Sequence, residues 1–99
     1  MQSISEEQVL KDLKLPCVVK VYADWCKPCH KIEPEFVKLY ETYKEHFTFY
    51  KANVDVCKDF ADEFDIKSIP VLMILTENKQ LITHKIDELK EKIGNYIKK

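Results

Sequence analysis

An apolar run, Cys17-Val18-Val19-Lys20-Val21-Tyr22, leads into Ala23-Asp24-Trp25-Cys26-Lys27-Pro28-Cys29, and a helical pattern begins near Pro28. This order constrains the fold more than any bulk property. A strand that delivers two cysteines onto the first turn of a helix holds their sulfurs close enough to join. It also aims unpaired backbone N–H groups at the first sulfur, which favours its thiolate. The thiolate is the species that attacks disulfides. Cys-x-x-Cys in this setting therefore reads as a redox dithiol.

Composition narrows the field. Ninety-nine residues suit one domain, 1–99, and a hydrophobic fraction of 45% supports a packed core. The net charge is −1 and all 16 of the Lys+Arg residues are lysine. A chain with no basic excess and no arginine is poorly equipped to read nucleic acid. One glycine in the whole chain rules out a Gly-rich phosphate loop. Met1 to Leu10 carries Glu6 and Glu7 and no long apolar run, so neither a signal peptide nor a membrane span is expected, and the expected location is the cytosol. Four cysteines in a reducing compartment point to catalysis or metal binding rather than to a disulfide framework.

The elements follow from periodicity. Ser5-Glu6-Glu7-Gln8 has the form of a capping box, with Val9, Leu10 and Leu13 as the apolar face of a first helix ending before Pro16. Cys17–Tyr22 reads as a central strand covered on both faces. Ile32, Phe36, Leu39, Tyr40 and Tyr43 predict one long helix over 28–44, kinked at Pro34. Strands are predicted over 47–52 and 71–75, with a return strand at 81–83 after a turn at 77–79. A short helix is predicted over 57–64 and a last one over 89–97. The alternation gives an α/β fold, a twisted sheet with helices on both faces.

Other chemistries at the dithiol are weaker. A structural zinc site needs two more ligands, and only Cys57, His30 and distant histidines are on offer, so no metal is assigned. Cys26-Lys27-Pro28-Cys29-His30 also matches the haem-attachment pattern, which needs an exported protein and an axial partner. Cys17 is read as core. Cys57 is read as a buried inert thiol, with a regulatory role as the alternative.

Trp25-Cys26-Lys27-Pro28-Cys29, Pro34, Ile69-Pro70 and Lys51 together resemble the thioredoxin family over essentially the whole chain. The resemblance implies the thioredoxin fold, a central mixed sheet flanked by helices on both faces. It implies protein disulfide reduction with no cofactor of its own, by an electron carrier with a redox-active Cys26–Cys29 disulfide. It further implies Cys26 as nucleophile, Cys29 as resolving thiol and a cis peptide at Ile69-Pro70. Trp25, Pro28, Ile69, Pro70 and Ile86 would form the substrate surface, with the Ile69 backbone pairing with extended substrate. The implied partners are an NADPH-dependent thioredoxin reductase and oxidised client proteins, and a monomer is expected. The alternatives are a more oxidising, client-specific relative, or a binding module with this fold and an idle dithiol.

The chain departs from the family pattern in places. Lys27 stands where Gly is usual, and Asn78 and Ile86 stand where glycines are usual. Lys20 stands where the family has a buried aspartate, and this places the proton route and the charge beneath the dithiol on new residues. Lys20 and Lys51 are the expected tuning groups for the Cys26 thiol. Charged, Lys20 would stabilise the Cys26 thiolate; neutral, its amine could take the proton from Cys29 in the resolving step. The alternative is that it pairs with an acid such as Asp55, or reaches solvent along its stem, and does nothing catalytic.

Overall fold

A computed structural model, describing residues 1–98, places the Cys17–Tyr22 strand at the centre of a five-stranded sheet. In chain order the strands are β1 (Gln2–Ser3), β2 (Cys17–Tyr22), β3 (Thr48–Asn53), β4 (Val71–Leu75) and β5 (Gln80–Thr83). The helices are α1 (Lys27–Lys31), α2 (Glu33–Tyr43), α3 (Lys58–Glu63) and α4 (Ile86–Ile97). Across the sheet the order is β1-β3-β2-β4-β5. β3 runs parallel to β1 and β2, while β4 is antiparallel to β2 and β5. The sheet is mixed, as the resemblance implies.

Strand alternation divides the core into two layers. Cys17, Val19 and Val21 of β2 point to one face, where they meet Ile4, Leu13, Cys57 and Phe60. Val18 points to the other, with Phe49 of β3 and Leu72 and Ile74 of β4, and these are covered by Phe36 and Leu39 of α2 and Leu89 and Ile93 of α4. Both faces of β2 and β4 are thus sealed, which is why both strands read as nearly unbroken apolar runs.

Three expectations need correction. The first helix does not form. Gln8 Oε1 accepts from the Ser5 N–H at 2.7 Å, so one half of the capping box is made, but only a 3-10 turn at Leu10–Asp12 follows. The segment is short and tied at both ends: the Ile4 N–H donates to the Lys51 carbonyl at 2.8 Å, and the Lys14 N–H to the Tyr50 hydroxyl at 3.0 Å. A helix this short has little stability of its own, and tertiary ties decide its shape. The predicted long helix is two, α1 and α2, meeting at Ile32. Pro34 has no N–H to donate to the preceding turn, so the ladder breaks there and the proline opens α2 instead of kinking its middle. The last helix begins earlier than predicted, at Ile86, because the connection from β5 is only His84-Lys85.

The loop that carries Ile69-Pro70 is launched by a tight helix end. After α3 the Ile66 N–H donates to the Ala61 carbonyl (3.0 Å) and the Asp65 N–H to the Asp62 carbonyl (3.2 Å). This closure needs a left-handed residue, and Asp65 supplies it at φ 51°. Aspartate tolerates that conformation better than most residues. The one glycine, Gly94, lies within α4.

Candidate active site

β2 ends at Tyr22, and Ala23-Asp24-Trp25 carries the chain over the top of the sheet to α1. Cys26 is the N-cap of α1, and its Sγ accepts from the Cys29 N–H at 3.2 Å. The two cysteines are joined as a disulfide, with Cα atoms 5.3 Å apart. Both are buried: Cys26 is 4% exposed, and Cys29 is 1%. Ala23, Tyr22, Val54 and Ile69 pack around the pair.

The rim is built as follows. Trp25 is 69% exposed, and its indole Nε1 donates to Asp55 at 2.9 Å. Asp55 is thus occupied by Trp25 rather than by Lys20. Pro28 lies on the exposed side of α1's first turn. Ile69–Pro70 is cis, with Pro70 buried and Ile69 packed against the dithiol cluster. Ile86 is not among these residues. It opens α4 and packs against the cluster of Val18, Phe36 and Leu89. The short β5–α4 connection turns it into a helix residue facing α2.

Two histidines complete the rim, and one of them was not singled out by sequence. His84 Nδ1 lies 2.9 Å from the Pro70 carbonyl oxygen. A carbonyl only accepts, so this nitrogen carries the proton. The His30 ring, by the same rule, donates through Nε2 to the Asp24 carbonyl at 2.6 Å. His30 was met in the sequence only as a weak metal-ligand or haem-pattern candidate; His84 had no signal apart from its place beyond the return strand.

Beneath the dithiol lies the main surprise. Alternation puts Lys20 on the α2 face of β2, directly beside Lys51 of β3 in the parallel register. Lys20 is 2% exposed, the one charged side chain buried among the described residues. Its Nζ donates to Glu33 Oε1 at 2.8 Å, and Lys51 Nζ donates to Glu33 Oε2 at 2.6 Å. One carboxylate therefore bridges two ammonium groups. Burial pushes the Glu33 carboxyl up, but the hydrogen bonds and charges of Lys20 and Lys51 outweigh it and hold the group below its ordinary value. A discernible signal existed: a lysine inside a covered strand demands an acid, and Glu33 stands one helical turn after Cys29.

The lowered Glu33 value fixes a sign. A carboxyl ionised more readily in the folded state stabilises the fold above its unfolded value near 4.5, and this stabilisation is lost as pH falls through the folded value. Glu33→Gln removes the shared anion while leaving Lys20 buried. We expect a loss of about 2 kcal/mol at neutral pH, or roughly 10 °C in Tm, below the full buried-pair figure because Glu33 is partly exposed. The Tm gap to wild type should close as pH falls below 4.5. Thermal unfolding at a series of pH values checks it; a gap that is constant with pH would mean that the carboxylate charge plays no part.

The other thiols are chemically quiet. Cys17 is fully buried and its thiol is pushed up to about 12 by loss of hydration. Burial also pushes up Cys57, a backbone hydrogen bond at Asn53 offsetting this only in part, and its Sγ donates to the Ile4 carbonyl at 2.9 Å.

Comparison with known proteins agrees with this geometry. The sequence model of the family described as Thioredoxin matches residues 3–99. A thioredoxin H-type from Picea mariana is 34% identical over 93 residues, covering 91% of this chain and 74% of that protein. A thioredoxin from Rickettsia bellii is 31% identical over 96 residues, covering 93% and 90% respectively. Among solved structures, thioredoxin f2 of Chlamydomonas reinhardtii superposes with a TM-score of 0.80 at 25% identity, over 97% of this chain and 95% of that one. Schistosoma mansoni thioredoxin gives a TM-score of 0.81 over 95% of each chain, and at 24% identity that likeness bears on the fold alone. With the paired cysteines at the head of α1 and the family match over nearly the whole length, the chain belongs to the thioredoxin family and is a thiol–disulfide oxidoreductase.

Proposed function

We propose that the chain is a general protein disulfide reductase of the cytosol, in which Cys26 attacks and Cys29 resolves. The carrying observation is the asymmetry of the pair. Cys26 caps the helix and accepts the Cys29 N–H at 3.2 Å, while Cys29 lies one turn in at 1% exposure. Hydrogen bonding to a sulfur favours its anion, so the first cysteine is the better nucleophile.

The steps balance as follows. The Cys26 thiolate attacks one sulfur of a client disulfide. A Cys26–client bond forms, the client disulfide breaks, and the departing client thiolate takes up a proton. Cys29 then gives up its proton and attacks the Cys26 sulfur. The Cys26–Cys29 bond forms, and the second client sulfur leaves and is protonated. Two electrons and two protons reach the client, and the protein is left as its disulfide.

In this reading Trp25, Pro28, Ile69 and Pro70 form the client surface, and the Ile69 backbone pairs with an extended client chain as strand addition. The packing of Ile69 on the dithiol cluster supports that placement. Electrons come from an NADPH-dependent thioredoxin reductase. The protein works as a monomer and as a member of electron transport and of cell redox homeostasis. The free thiols of Cys17 and Cys57 suit a reducing compartment.

An insulin assay tests the proposal. The protein should speed insulin reduction by dithiothreitol well above the thiol alone, and should turn over with NADPH and a thioredoxin reductase. Absence of acceleration in both would leave the fold serving as a binding module.

A further inference from the structure

Lys20, Glu33 and Lys51 stand behind the dithiol on two independent routes through the structure. On the helix side, Glu33 opens α2 four residues after Cys29, across the α1–α2 junction at Ile32. On the sheet side, Lys20 Nζ lies 5.6 Å and Lys51 Nζ 5.5 Å from the centre of the Tyr22 ring. Tyr22 in turn packs against Ala23, Cys26 and Cys29. Tyr22 therefore touches both the charged group and the dithiol cluster. Two ammonium groups on one carboxylate leave a net charge of +1. Its most buried member, Lys20, is 2% exposed, and a charge held in the interior is only weakly screened by salt.

We infer that the Lys20–Glu33–Lys51 group is a fixed internal cation that favours the Cys26 thiolate and thereby the reduced dithiol, with Glu33 acting as the positioning residue that holds both lysines under the site. The inference rests on the redox reading of Cys26 and Cys29. Its physics is simple. The disulfide carries no charge, whereas the reduced pair carries the thiolate, so a nearby positive charge stabilises the reduced state alone. Other charged or titratable groups near the dithiol are Asp24, Lys27, His30 and Lys31 around α1, Asp55 on Trp25, and His84 on Pro70. All of these are solvent-exposed, where water and salt weaken their fields.

The test compares wild type with Lys20→Met, Lys51→Met and Glu33→Gln, after thermal scans establish that each is folded. Two quantities are read: the pH midpoint of Cys26 alkylation in the reduced protein, and the equilibrium with glutathione. Lys20→Met leaves a neutral Glu33–Lys51 pair. The alkylation midpoint should rise by about one unit, and reduction of the disulfide by glutathione should become about tenfold less favourable. Lys51→Met should shift both quantities in the same direction by less, since Lys51 is 27% exposed and its field is better screened. This half-exposed position also keeps the test decisive if Lys20→Met does not fold. Glu33→Gln removes the anion and should shift both quantities in the opposite direction. A merely structural role would not give opposite signs for the lysines and the glutamate. The inference is overturned if the folded lysine variants leave both quantities unchanged, or if Glu33→Gln moves them the same way as the lysine variants. Failure of wild type itself to exchange with glutathione would instead overturn the redox reading, and the inference with it.

Discussion

Cys26→Ser lowers insulin reduction to the rate of dithiothreitol alone. A serine hydroxyl is not ionised at neutral pH at this position and cannot form the mixed disulfide, so the first covalent step has no nucleophile. No other thiol can take over. Cys29 is 1% exposed, Cys17 is fully buried with its thiol pushed up to about 12, and burial also raises Cys57. The fold should survive, because the exchange replaces one small side chain by another at a helix N-cap, where serine is a preferred residue. Unchanged far-ultraviolet circular dichroism with abolished turnover is the expected pair of results. Substantial turnover by the folded variant would assign the chemistry to another residue.

Cys29→Ser has a different signature. Cys26 still attacks, so the first bond forms, but nothing inside the protein releases it. Incubation with oxidised client proteins should yield a stable covalent adduct, visible on a non-reducing gel and removed by dithiothreitol. Catalytic turnover should fall nearly as far as in Cys26→Ser, while adduct appears only in the Cys29 variant. The double replacement should give neither. Equal trapping by both single variants would show that the sulfurs are interchangeable and that the helix start confers no direction.

The sheet was legible because its two central strands are covered on both faces. Runs such as Val71-Leu72-Met73-Ile74-Leu75 have few other readings, and β2 and β4 were bounded to the residue. The dithiol was legible for the same reason: it sits where a readable strand gives way to a readable helix. Legibility failed where tertiary ties overrule local preference. Ser5-Glu6-Glu7-Gln8 has good capping chemistry, yet the ties of Ile4 to Lys51 and of Lys14 to the Tyr50 hydroxyl leave room only for a 3-10 turn. Ile86 was expected at the substrate surface, but after a connection of only His84-Lys85 it opens α4 and packs on the cluster of Val18, Phe36 and Leu89. Lys20 was recognised as anomalous, but its partner was sought at Asp55 on the rim rather than at Glu33. The partner lies on the helix that crosses the Lys20 face, and alternation along β2 already named that face.

The ion group also bears on how such a chain can change through time. Lys20 and Glu33 lie 13 positions apart on different elements, yet each makes the other tolerable. An acid placed at position 20 beside Glu33 would set two carboxylates together, and loss of Glu33 alone would strand a buried ammonium. Each single step passes through a less stable intermediate, while a paired exchange keeps opposite charges facing each other between strand and helix. The two positions therefore form one unit of inheritance. Neither residue is easily given up alone.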